Sequence, residues 1–122
     1  IIAHDAPYAD VCFDGYVAPS ILQVPGAKDV AVEFNSLSKA YNMAGWRLGM
    51  AVGNASVIRF LNTYKSQMDS SHFEAILQAG IRAMTGDQKP AAITTCSVVI
   101  SPLSVPTFHS PFNCSVRSVT LV

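Results

Sequence analysis

Ser36-Leu37-Ser38-Lys39-Ala40-Tyr41-Asn42-Met43-Ala44-Gly45-Trp46-Arg47-Leu48-Gly49 is the stretch around which the chain is organised. The apolar, partly β-branched run Val30–Asn35 leads into it, and Arg47–Gly53 leaves it as a second apolar run closed by Gly53-Asn54. Both runs have strand character. A lysine is therefore presented between small hydroxyl residues at the junction of two strands. Burying a lysine costs free energy, so a lysine set between apolar segments calls for a reason. The available chemistry is a Schiff base: a desolvated lysine amine is a competent nucleophile toward an aldehyde.

Upstream, Ile1-Ile2-Ala3 is a short apolar run ending at His4-Asp5, and Ala6-Pro7 breaks it before Tyr8. Proline has no N–H for a sheet ladder, so this strand should stop near Asp5. A buried strand that delivers an acid and a tyrosine at its carboxyl end fits an open α/β sheet, in which ligands sit at that edge. Asp14-Gly15 is a turn signal. Pro19 and Pro25-Gly26 punctuate a surface excursion with one helical turn at Ser20-Ile21-Leu22.

Downstream, Asn54 or Ser56 caps a predicted helix running to about Gln67, with Val57, Leu61, Tyr64 and Met68 on one face. A second predicted helix begins at Ser71, where Ser71 and Glu74 form a capping-box pattern. Phe73, Ile76, Leu77, Gly80, Ile81 and Met84 are its apolar stripe, and Gly86 is its stop. After Gly86 the character changes. Residues 87–122 carry only Asp87, Lys89 and Arg117 as charges, with six serines, four threonines and four prolines. A strand at Ile93–Ile100 is the one regular element expected there. The segment reads as a Ser/Thr/Pro-rich tail whose order the sequence leaves open.

Composition bounds the function. The chain has 122 residues, half of them hydrophobic and 13% charged, which suits one modest globular domain or part of a larger one. A formal net charge of zero gives no electrostatic footprint for nucleic acid or an anionic membrane surface. Cys12, Cys96 and Cys114 are widely spaced and odd in number. They make neither a disulfide framework nor a metal-ligand pair, so the expectation is a reducing, cytoplasmic compartment (a plastid in a photosynthetic eukaryote) and no metal. No apolar run reaches membrane-spanning length and no signal peptide is visible. The chain opens on Ile1-Ile2, inside a strand, which reads as a fragment of a larger protein.

The pattern of a small residue, an apolar one, a small residue and lysine, then arginine eight residues later with glycine beyond it, resembles the class I/II aminotransferases of fold type I. Ser36-Leu37-Ser38-Lys39 and Arg47-Leu48-Gly49 carry the resemblance, with Asn42, Met43 and Gly45 between them. His4-Asp5-Ala6-Pro7-Tyr8, Phe13–Tyr16, Val24–Lys28 and Ser66–Ser70 extend it over residues 1–86, nearest to the LL-diaminopimelate aminotransferase group.

The resemblance implies part of a large domain with a mostly parallel sheet and flanking helices. It also implies pyridoxal 5′-phosphate as cofactor, amino acid and 2-oxo acid substrates, and a homodimer. Lys39 matches the Schiff-base lysine, and Asp5 the acid that pairs with the pyridine nitrogen. Tyr8 matches the tyrosine on the phenolic oxygen, and Ser36, Ser38 and Arg47 match phosphate ligands. The family's upstream phosphate loop and its downstream substrate-carboxylate arginine have no counterpart in this sequence, so little turnover is expected of this chain alone. The same motif serves carbon–sulfur lyases of this fold and non-catalytic aminotransferase-like regulatory domains. Without the motif, Lys39 would read as a solvated surface residue, Arg47 as a surface ion pair and Asp5 as a turn or helix cap. Trp46 and Tyr41 read as packing residues, and His4 and His72 as structural ones.

Overall fold

Four strands form one sheet in the order β1-β2-β3-β4. β1 spans Ile2–Asp5, β2 Ala31–Ser36, β3 Gly49–Gly53 and β4 Val119–Leu121. The coordinates are a computed structural model that describes residues 1–89 and the backbone of 119–121. The predicted strand at 93–100, Cys96, Cys114 and Arg117 lie outside the described residues. β1 pairs with β2 in parallel, whereas β2–β3 and β3–β4 are antiparallel. Where a mostly parallel sheet is expected, the described strands thus form a mixed one. The linker between β2 and β3, residues 37–48, is short and returns the chain directly beside the strand it has just left. The longer excursion over residues 6–30 makes the parallel crossover.

β1 stops at Asp5, as Pro7 requires. Beyond it, the Ala6 N–H still donates to the Phe34 carbonyl at 2.8 Å. The Asp14-Gly15 turn forms with both residues at positive φ, 55° and 74°, and the Tyr16 N–H closes it on the Phe13 carbonyl. Ser20 caps a short 3-10 turn at Ile21–Gln23, and α1 follows at Ala27–Val30.

Side chains alternate across β2 and build two layers. Ala31 faces Leu22, Ala27 and Val52 on one side. Val32 faces Ala51 and Ile58 on the other, with Phe34, Val57 and Leu61 packed around them. The second layer is roofed by α3, Ala55–Met68. Asn54 caps α3: its side-chain oxygen accepts from the Ser56 and Val57 N–H groups, both at 3.0 Å, and its amide donates to the Asp29 carbonyl at 2.8 Å. Tyr64 and Met68, expected on the packed face, are exposed. The packed residues are confined to the first two turns, and beyond them Tyr64 stacks with Phe60 on the outer surface instead.

A third cluster closes the edge of the sheet that carries the central motif. Leu37, Met43 and Leu48 pack there against Ile76, Leu77 and Met84 of α4, Glu74–Thr85. Leu37 and Leu48 are 0% and 2% exposed, so each contributes about 1.5–3 kcal/mol of burial. α4 comes so close that a Cβ on Gly80 would run into the Leu48 side chain. The expected Ser71–Glu74 capping box is not made. The helix begins at Glu74 with Phe73 at the cap position and no side-chain cap bond, while His72 is engaged elsewhere. The helix does end at Thr85 before Gly86, where the backbone turns extended.

Candidate active site

The topology brings the six candidate residues to one edge of the sheet. β1 and β2 are parallel, so Asp5 and Ser36, their last residues, stand at the same end. Ser36 is also in register with Gly49, the first residue of the antiparallel β3, which puts Arg47 beside that end. The Leu37 N–H donates to the Leu48 carbonyl at 3.1 Å and ties the start and finish of the intervening loop together.

Inside that loop Ser36 caps a four-residue helix, α2, Leu37–Ala40. The Ser36 hydroxyl oxygen accepts the Ser38 N–H at 3.2 Å. One turn of helix aims Leu37 into the third cluster and Lys39 outward. Lys39 is therefore exposed and not desolvated as expected, since the helix turns Leu37 inward and Lys39 to the opposite side. Its Nζ lies over the Tyr8 ring, 5.8 Å from the centroid, within the range of a cation–π contact. Tyr8 comes from the loop after β1, so the contact joins the two halves of the motif across the sheet end.

Arg47 adopts the left-handed conformation, φ 54° and ψ 47°. For a residue with a Cβ this costs about 1–2 kcal/mol. Its guanidinium donates to the Ala44 carbonyl at 3.0 Å, and its own carbonyl is 3.2 Å from His72 Nε2. Asn42, also at positive φ, sharpens the same loop. Trp46, expected to pack, is 45% exposed, whereas Tyr41 does pack against the third cluster.

Behind the site lies a polar hub that sequence reasoning missed. Glu33, on the β2 face opposite α3, is buried and fully engaged. It accepts from Ser20 Oγ at 2.7 Å, the Ile21 N–H at 3.1 Å and the Asn35 amide at 3.0 Å, and lies 2.9 Å from His4 Nδ1. Burial pushes its carboxyl up, but these hydrogen bonds outweigh burial and hold it below the usual glutamate value. Asp10 goes the other way, raised by burial and then by the Glu33 charge. The Tyr41 phenol is raised by burial and then by Asp10. An acid inside the apolar run Val30–Phe34 was the available signal for the hub. His4 ties the end of β1 to this hub one residue before Asp5.

The sequence matches the family model of aminotransferase class I and II over residues 1–97. The chain belongs to the class I and II aminotransferases. It is similar to the LL-diaminopimelate aminotransferase of Moorella thermoacetica, 56% identical over 92 residues, or 75% of this chain and 24% of that protein. It is also similar to the glutamate-pyruvate aminotransferase AlaC of Escherichia coli, 53% identical over 89 residues, or 73% of this chain and 22% of the relative. Among solved structures, a probable N-succinyldiaminopimelate aminotransferase from Thermus thermophilus superposes with a TM-score of 0.67 at 39% identity, covering 73% of this chain and 24% of that one. An aminotransferase from Staphylococcus aureus superposes at 0.69 with 38% identity, covering 79% and 25%. This aminotransferase chain thus spans about a quarter of the length of the relatives it matches.

Proposed function

We propose that this chain is one wall of a pyridoxal 5′-phosphate site in an enzyme that exchanges an amino group between an amino acid and a 2-oxo acid. The observation that carries the proposal is the convergence of Asp5, Tyr8, Ser36, Ser38, Lys39 and Arg47 on one sheet end. The donor set suits the cofactor chemically. It offers a carboxylate for a protonated ring nitrogen, a phenol for the ring hydroxyl, and a primary amine for the aldehyde. Two hydroxyls and a guanidinium remain for a dianionic phosphate. When bound, the cofactor supplies an aldehyde that takes up amines and a ring that accepts electrons.

The roles of the chain's own residues follow from their chemistry. Asp5 keeps the ring nitrogen protonated. Tyr8 donates a hydrogen bond from its phenol to the ring oxygen. Ser36, Ser38 and Arg47 hold the phosphate. Lys39 Nζ would hold the aldehyde end until the substrate's amino group takes its place there, and the freed amine would then take the α-proton and return it at the other carbon as general base and acid. The names of the relatives favour LL-diaminopimelate as a substrate, and 2-oxoglutarate is proposed as the 2-oxo acid that exchanges with it. A homodimer in the cytoplasm is proposed for the whole protein. The 122-residue chain by itself is proposed to have little turnover, since a site with part of its surround lacks preorganisation.

Adding pyridoxal 5′-phosphate to the purified chain tests the central assignment. A visible absorption band is expected from the unchanged chain and is expected to be absent in Lys39→Ala. Persistence of the band in the variant removes Lys39 from its role.

A further inference from the structure

We infer that His72 is a positioning residue for Arg47, and through it for the phosphate of the cofactor; this rests on Arg47 being a phosphate-holding residue. Arg47 sits in a backbone conformation that its side chain does not favour. Three contacts hold it there. Leu48, the next residue, is buried in the third cluster. The guanidinium reaches back to the Ala44 carbonyl, which occupies one of its several N–H donors and leaves a planar fork for an anion. The third contact is His72, which reaches the Arg47 backbone itself from a distant part of the chain. Its Nε2 lies 3.2 Å from the Arg47 carbonyl across 25 residues of sequence.

A carbonyl oxygen only accepts, so Nε2 carries the proton, and in the neutral ring Nδ1 does not. His72 stands in the segment 69–73 between α3 and α4. Phe73, which follows it, starts α4, and α4 presses on Leu48 at Gly80. The same segment therefore fixes the Arg47 turn from two sides, with Leu48 below and the carbonyl bond beside it. Loss of the bond frees the Arg47 peptide while leaving Leu48 packed, so the guanidinium loses its aim and the fold is kept.

The test compares pyridoxal 5′-phosphate with pyridoxal, which lacks the phosphate, as ligands of the full chain, read by absorbance. His72→Leu removes the donor, and His72→Gln supplies another. For His72→Leu, affinity for the phosphorylated form is expected to fall about fivefold, the worth of one net hydrogen bond, with affinity for pyridoxal unchanged. His72→Gln is expected to recover most of the loss. Equal loss for both ligands, or no loss, overturns the inference. If His72→Leu does not fold, the imidazole ¹⁵N spectrum of the unchanged chain decides. A ring protonated at Nε2 that responds to inorganic phosphate supports the role, and a ring protonated at Nδ1, or one silent to phosphate, overturns it. An unchanged chain that binds neither ligand removes the cofactor assignment and this inference together. Binding by the unchanged chain with indifferent variants removes the inference alone.

Discussion

The Lys39 ammonium lies 5.8 Å from the centroid of the Tyr8 ring, although one residue follows β2 and the other follows β1. The parallel pairing of those strands places them together. Tyr8→Phe keeps the ring beneath the amine and removes only the phenol. It is expected to weaken pyridoxal 5′-phosphate binding about tenfold, in line with one hydrogen bond, with no change in the melting temperature. Tyr8→Ala removes the ring as well and is expected to bind more weakly still. A spectrophotometric titration of both variants separates the two contributions.

Glu33 makes stability depend on pH. Its folded-state pKa is lowered from 4.5, so the stabilisation is complete above that value and is lost as pH falls through the lower folded value. Glu33→Gln is expected to cost about 2–3 kcal/mol at neutral pH, the worth of hydrogen bonds to a buried charged group, with the deficit shrinking in acid. Urea midpoints from acid to neutral pH measure it.

Asp10 carries the opposite sign. Its pKa is raised from 3.8, so the folded state favours the protonated form, and that advantage is lost as pH rises through the folded value. Asp10→Asn is expected to stabilise the chain at neutral pH and to leave it nearly unchanged in strong acid. A lower urea midpoint at neutral pH would contradict the burial and the Glu33 charge as causes.

Gly80 tests packing against propensity. Alanine gains about 1 kcal/mol in a helix interior over glycine. The added methyl would press on Leu48 and would come within 3.4 Å of Leu37, both fully buried, and overpacking costs about 1–3 kcal/mol. Gly80→Ala is expected to lower the melting temperature despite the better helix former.

Asn54 both caps α3 and holds the Asp29 carbonyl. Asn54→Ala is expected to cost about 1–2 kcal/mol, while Asn54→Asp keeps the cap and loses only the bond to Asp29. Chemical denaturation of the pair apportions the two.

The sequence made legible what rests on local chemistry: the strand stop before Pro7, the Asp14-Gly15 turn, the Asn54 cap and the ends of the lysine loop. α1 and α2, at four residues each, are too short to show a period. Tyr64 and Met68 fit the helical spacing, yet the packed surface of α3 ends before them. The Ser71–Glu74 box does not form: α4 starts later than that pattern needs, with Phe73 and not Ser71 at the cap position, and His72 contacts the Arg47 carbonyl. The assembly of Glu33 with His4, Ser20 and Asn35 joins residues from separate elements, and no spacing announces it.

The linker lengths noted for the sheet also order its formation in time. β2 and β3 meet by closing residues 37–48, whereas β1 reaches β2 only after residues 6–30 have closed. Loop entropy grows with length, by about 0.6 kcal/mol per doubling, so the hairpin-like pair has the earlier claim. Ser36, Lys39 and Arg47 would then be assembled in the folding transition state, and Asp5 and Tyr8 would dock afterwards. On that order, Ile2→Ala and Ala3→Gly should quicken unfolding and leave the refolding rate nearly unchanged. Substitutions at Val32 or Ala51 should slow refolding. The site would be completed by its earliest residues in sequence arriving last.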